Sequence, residues 1–94
     1  MKKTIEGKRY DTDRCEILGE HDHYSYSGNY SGTTRLVRAN DGRLLLWTES
    51  NGQDMYLSDD LRPFYTDESW SIDDFDMDDA QEKRCAELGL LKIV

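Results

Sequence analysis

The clearest alternation of apolar and polar positions lies at the centre of the chain. Thr33-Thr34-Arg35-Leu36-Val37-Arg38-Ala39 and Leu44-Leu45-Leu46-Trp47-Thr48-Glu49 flank Asn40-Asp41-Gly42-Arg43. Two runs rich in Leu, Val and Thr around an Asp-Gly pair predict a hairpin closed by a type I′ turn, whose two central residues need positive φ. That turn sets Val37 against Leu46 and Ala39 against Leu44 on one face, and Leu36 against Trp47 and Arg38 against Leu45 on the other. Asn51-Gly52 is a second turn of the same kind, placing Met55 opposite Thr48, Tyr56 opposite Trp47 and Leu57 opposite Leu46. The result is a three-stranded antiparallel meander over 33–57. Its middle run, Leu44 to Trp47, is apolar on both sides. One face therefore takes a helix and the other is partly covered, the tyrosine-rich segment before it being the candidate cover.

The flanks are shorter. Residues 3–10 read as a first strand, with Ile5 inward and Gly7 relaxing the pleat. Asp11-Thr12-Asp13 offers N-cap side chains for a short helix over 12–18, stopped at Gly19 and docked through Cys15 and Leu18, or Ile17. In 20–32, Tyr24 and Tyr26 alternate with serines as in an edge strand, and Gly28 and Gly32 imply bends. Ser58-Asp59-Asp60 ends the sheet, and 61–65 leads across the surface. A longer helix over 77–88 follows, capped by Asp76, with Asp78 and Asp79 in its positive first turn and Gly89 as the stop. Met77, Ala80, Cys85 and Leu88 share one side of it. Leu90-Leu91-Lys92-Ile93-Val94 is apolar enough to pack as a last strand or against a second copy of the chain. The expected fold is α+β, a single domain over 1–94: an antiparallel sheet of three to five strands, a short N-terminal helix and a longer C-terminal one.

Composition limits the partners. The formal net charge is −8, and hydrophobic and charged residues make up 36% and 34%, so one modest core is all the chain supports. Residues 1–43 carry eight bases and seven acids, whereas 44–94 carry four bases and thirteen acids. That imbalance disfavours direct contact with nucleic acid or an anionic membrane and favours a basic protein. There is no apolar run of membrane-spanning length and no signal-peptide core after Met1-Lys2-Lys3, so a cytosolic location in a host cell is expected. Cys15 and Cys85 lack metal-ligand spacing and read as small buried thiols; a disulfide between them requires the two helices to meet.

Candidate chemistry is sparse. His21-Asp22-His23 aligns two imidazoles if extended, but no third ligand lies close in sequence. Asp74-x-Asp76-x-Asp78 opens like a calcium loop and fails at its sixth position, Asp79, and its twelfth, Cys85. Paired carboxylates need a cleft with contrasting environments to work as acid and base, and no phosphate loop or nucleophile signature accompanies these. A non-enzyme with no cofactor and no metal is expected.

The charge excess itself is placed. Residues 66–82 hold eight carboxylates and no Lys or Arg, interleaved with Trp70, Ile72, Phe75 and Met77. Asp67, Glu68, Asp73, Asp74, Asp76, Asp78, Asp79 and Glu82 can stand in for phosphates on a Lys/Arg surface, with Trp70 and Phe75 as candidate anchors and Phe64 and Tyr65 nearby. The competing reading is an acidic helix start that only keeps a small protein soluble.

Ile5-Glu6-Gly7-Lys8-Arg9-Tyr10-Asp11-Thr12-Asp13, continuing to Ile17-Leu18-Gly19, resembles the opening of small proteins encoded by phages and mobile elements of Gram-positive bacteria. The resemblance implies a strand-to-helix element, then an aromatic stretch and a hairpin, which 36–38 and 42–47 fit. It covers the first half of the chain; the acid-rich second half departs from it. In size, acidity and hairpin-plus-helix plan the chain also resembles small acidic anti-CRISPR inhibitors. That likeness of type implies a partner of the kind the charge favours, a basic nucleic-acid-binding protein such as a CRISPR effector, and carries no site residue across. The rival expectation is a structural or accessory module that self-associates, as a homodimer for instance, through its C-terminus or its tyrosine-rich edge.

Overall fold

The computed structural model describes residues 1–52, 55–65 and 70–94. Its strands are β1 (Lys2–Ile5), β2 (Lys8–Asp11), β3 (Glu16–Tyr24), β4 (Tyr30–Arg38), β5 (Leu44–Ser50) and β6 (Asp60–Pro63), followed by one helix, α1 (Asp79–Glu87). They form two antiparallel sheets, a β1-β2 hairpin and a four-stranded sheet in the order β3-β4-β5-β6. The expected single sheet with two helices is thus corrected to two sheets and one nine-residue helix, with strand far outweighing helix.

The larger sheet is buried on both faces, as the apolar run in β5 requires. Leu18, Leu36 and Leu46 join Phe64, Phe75 and Cys85 in one core, onto which Trp70, Ile72, Met77 and Leu88 pack. On the other face Val37, Leu45 and Leu61 join Tyr10 and Ala39, with Ile5, Cys15 and Trp47 against them. The second cover is therefore the N-terminal hairpin, not the tyrosine-rich segment. A residue pair such as Leu36-Val37 feeds both cores because successive strand side chains point oppositely.

The central hairpin forms with a different turn. Gly42 has φ 89° while Asp41 does not have positive φ, so a type I′ pair is absent. Gly42 N donates to Ala39 O at 2.9 Å and Ala39 N to Arg43 O at 2.9 Å, closing a three-residue loop with glycine in the left-handed position. The register consequently pairs Leu36 with Leu46, Val37 with Leu45 and Arg38 with Leu44, one residue away from the expectation. Because strands alternate with period two, that slip re-sorts the faces. Trp47 now lies opposite Arg35 and Leu61, with the Arg35 guanidinium 4.5 Å over its ring. The third strand of the meander also moves. Asp60–Pro63 pairs with β5, and Met55 and Tyr56 lie exposed in the connection; residues 53–54 of the expected strand lie outside the described residues.

The type I′ conformation appears earlier, at Glu6-Gly7, with φ 51° and 80°. It folds the expected first strand into β1 and β2. Asp11 does cap a helical turn, accepting from Asp13 N at 3.1 Å, but that turn is a 3-10 segment, Thr12–Arg14. The expected helix over 12–18 is absent because β3 pairs with β4 from Glu16 onward, and tertiary pairing outweighs the weak propensity of one or two turns. Gly19, read as a helix stop, lies buried inside β3. A Cβ there would meet Phe75 Cβ at 2.9 Å and Met77 Cε at 3.1 Å.

The C-terminal helix is shorter than expected and is capped by Asp78, not Asp76. Asp78 and Gln81 form a capping box: Gln81 N donates to Asp78 Oδ1 at 2.8 Å, and Asp78 N to Gln81 Oε1 at 3.0 Å. Gly89 ends the helix as expected, with φ 74°, Leu90 N donating to Cys85 O and Gly89 N to Ala86 O. Ala80, expected on the buried side, is exposed. Residues 90–94 form no strand: Leu90 and Leu91 pack on the core, whereas Ile93 and Val94 are exposed. Cys15 and Cys85 are free thiols in opposite cores. Among the described residues no helix is long and apolar enough to cross a membrane.

Candidate acidic interface

The acidic segment is held to the outer edge of β3 by four kinds of contact. Ser71 N donates to Asp74 Oδ2 at 2.7 Å and Asp74 N to Ser71 O at 3.1 Å, winding Ile72–Asp74 into a 3-10 turn. The turn inserts Phe75 into the core. Asp76 then pairs with Glu20, N to O in both directions, at 2.7 and 3.0 Å. His21 Nδ1 donates to Asp74 O at 2.8 Å, which fixes the proton on that ring nitrogen because a carbonyl can only accept. Trp70 stacks on Phe75 with centroids 5.4 Å apart and meets His21 and His23 edge to face.

α1 anchors the far end. It packs on β3, where Arg84 Nε donates to Glu16 at 2.8 Å and Gln81 Nε2 to Ile17 O at 3.5 Å. Between β3 and the helix start lies an open groove of about 420 Å³ lined by Glu20, Asp22, Asp76, Met77, Asp78 and Gln81. Four of its six lining residues are carboxylates. Glu20 also faces Arg35 Nε at 3.6 Å, and Asp22 accepts from the Thr33 hydroxyl at 2.8 Å. A long cation entering the groove would find carboxylate acceptors for its head and the Met77 side chain for its stem.

The structure divides the expected site residues by role. Asp74 and Asp78 are spent on backbone N–H groups, as caps. Asp73, Asp76, Asp79 and Glu82 are exposed and, among the described residues, make no side-chain hydrogen bond or ion pair. Phe75 is 7% exposed, so it is a core residue, and its expected role as an anchor is corrected. Phe64 is buried as well; Trp70 is half-buried and Tyr65 exposed. Asp67 and Glu68 lie outside the described residues.

Sequence reasoning missed Glu20 and Asp22 as members of this surface. Their signal was present: Glu20 and Asp22 share one side of an extended strand, His21 and His23 the other. The two imidazoles, 5.0 Å apart, engage Trp70 and the Asp74 carbonyl, and His23 shares a hydrogen bond with Thr34. Among the described residues no group of three or more His, Cys, Asp or Glu is arranged to hold a metal ion. Comparison with protein-family models, with curated proteins and with solved structures gives no match.

Proposed function

We propose that the protein is a non-enzymatic inhibitor, of phage or mobile-element origin, that presents this acidic surface to the basic nucleic-acid-binding site of another protein. A CRISPR effector is the partner class we favour, with exclusion of DNA as the consequence. One observation carries the reading: Asp73, Asp76, Asp79 and Glu82 are carboxylates that pair with no cation among the described residues, on a segment fixed by caps, a strand bridge and a buried aromatic. Solubility alone does not need the acids to be positioned. A preordered array of carboxylates loses little entropy on docking against Lys and Arg and displaces the counterions that phosphates would. Trp70 supplies apolar area at the margin of that array.

Charge reversal tests the reading. Asp73, Asp76 and Glu82 are changed together to Lys, leaving the caps Asp74 and Asp78 intact, and the fold is checked by circular dichroism. Pull-down from host lysate with salt titrated should recover a nucleoprotein complex with the native chain, weakening steeply with salt, and lose it with the triple variant. Undiminished capture by a folded triple variant sinks the proposal.

A second reading, self-association, rests on Tyr24 and Tyr26, which are 62% and 110% exposed at the β3-β4 tip. Light scattering over a range of concentrations distinguishes it. A dimer lost on changing both tyrosines to Ser would favour this module over the inhibitor.

A further inference from the structure

One corner of this acidic chain has the opposite sign. Between β2, the 3-10 turn and the β4-β5 loop lies a cleft of about 550 Å³, lined in part by Lys2, Lys8, Arg9 and Arg14. We propose that this cleft binds a small phosphate-bearing anion, of about the size of a nucleoside monophosphate.

The two carboxylates that line the cleft are already engaged. Asp41 accepts from Arg43 N at 3.0 Å, from the Tyr10 hydroxyl at 2.8 Å and from Lys8 Nζ at 3.2 Å. Asp11 accepts from Asp13 N at 3.1 Å. The cations are less satisfied. Among the described residues Lys2 and Arg14 make no side-chain hydrogen bond or ion pair, and Arg9 meets only the Thr4 hydroxyl, at 3.3 Å. Three donor groups thus border one concavity without counter-ions. Guanidinium forks with an ammonium beside them suit the several oxygens of a phosphate better than the two of a carboxylate.

The floor fits an organic portion. The Tyr10 ring, whose hydroxyl is taken by Asp41, and Ala39 are nearly covered, and burial, with Asp11 and Asp41 adding, pushes the Cys15 thiol up, keeping it neutral. The volume lies within the usual span of small-molecule sites. Charge selects the size of the ligand. The lining residues sum to +2, which leaves −10 for the rest of the chain. A polymer running out of the cleft would meet that negative remainder; a compact anion would not.

The test is a titration of the ¹⁵N-labelled protein with inorganic phosphate and with a 5′-nucleoside monophosphate, ionic strength held constant with chloride. Saturable shifts at Tyr10, Arg14, Cys15 and Ala39 are expected. The nucleotide should bind more tightly than phosphate, and each of Lys2→Gln and Arg14→Gln should weaken binding at least fivefold. Both positions are exposed, so the variants should keep the native spectrum elsewhere. Shifts that follow chloride alone, or that persist unchanged in both variants, overturn the proposal. Tighter binding of a short single-stranded oligonucleotide, phosphate for phosphate, also overturns it in favour of a nucleic-acid contact.

Discussion

Glu20 and Asp76 are bound to each other by both of their backbone hydrogen bonds, although both side chains are acidic. Like charges directly opposite each other weaken a strand pair. Here the pair is only one residue long, and its neighbours supply the attraction: Gly19 admits Phe75 and Met77 on one side, and His21 holds the Asp74 carbonyl on the other. The bridge extends the free edge of β3 while leaving an acid-lined groove beside it. Acids from two distant stretches of chain become one surface because backbone and core contacts offset their repulsion.

Gly19→Ala tests that arrangement. Gly19 does not need positive φ, so the substitution acts through space alone, by driving a methyl group to 2.9 Å from Phe75 Cβ and 3.1 Å from Met77 Cε. Overpacking of this kind costs about 1 to 3 kcal/mol. Urea denaturation should report that loss, and the Asp76 amide should exchange faster with solvent. An unchanged midpoint would mean that the segment yields freely and that the acidic surface is not fixed.

Parts of this fold are legible in the sequence. The hairpin between Val37 and Leu45 follows from two apolar runs around a glycine, and the two-sided burial of Leu44 to Trp47 required covers on both faces. Asp-Gly, however, suits both a two-residue turn and a three-residue loop, and nothing local distinguishes them. The Glu6-Gly7 turn was hidden because Glu rarely adopts positive φ. Residues 11–19 carry the cap and stop signals of a helix, and only pairing with β4, remote in sequence, makes 16–24 a strand. The acidic surface was half legible. Its charge was visible in composition, but the contribution of Glu20 and Asp22 depended on that same strand.

The division of the acids into caps and free groups predicts opposite phenotypes within six residues. Asp78→Ala removes an acceptor for Gln81 N at the start of α1 and should cost about 1 kcal/mol of stability. Asp73→Ala touches no such contact and should stay within about 0.5 kcal/mol of the native chain. In the salt-titrated pull-down the order should reverse per unit of remaining folded protein, Asp73→Ala weakening capture and Asp78→Asn, which keeps a capping oxygen, doing less. Equal effects on stability would contradict the assignment of Asp78 as the cap.

Asp41 predicts an acid limb in the stability profile. Its carboxyl is held down to about 2 from 3.8, chiefly by the Arg43 backbone N–H, then by the Tyr10 hydroxyl and Lys8. A carboxylate whose folded pKa is depressed adds stability that is fully present above its unfolded value. Its contribution should therefore be constant from neutral pH down to about 5, and should be lost as pH falls through about 4 toward 2. Thermal midpoints across that range should show the decline, and Asp41→Asn should flatten it specifically. The group is exposed, so added salt should shrink its Lys8 component while sparing the hydrogen bonds.

The two thiols should separate cleanly under alkylation. Burial raises both, with Asp11 and Asp41 adding at Cys15 and Glu16 adding at Cys85, so each holds less thiolate at neutral pH than a free cysteine. Only the thiolate reacts, and the rate at an accessible site should climb about tenfold per pH unit below its pKa. Cys15, half-buried in the lining of the basic cleft, should follow that line in the native protein. Cys85 has no exposed surface and its Sγ lies 3.8 Å from Leu18 O, so it must wait for α1 to leave β3. Its modification, read by mass spectrometry of the digested chain, should accelerate with urea well below the global midpoint if α1 frays alone, and at that midpoint if the helix and sheet open together. Native-state labelling of Cys85 at the Cys15 rate would contradict the burial on which the placement of α1, and with it the groove, depends.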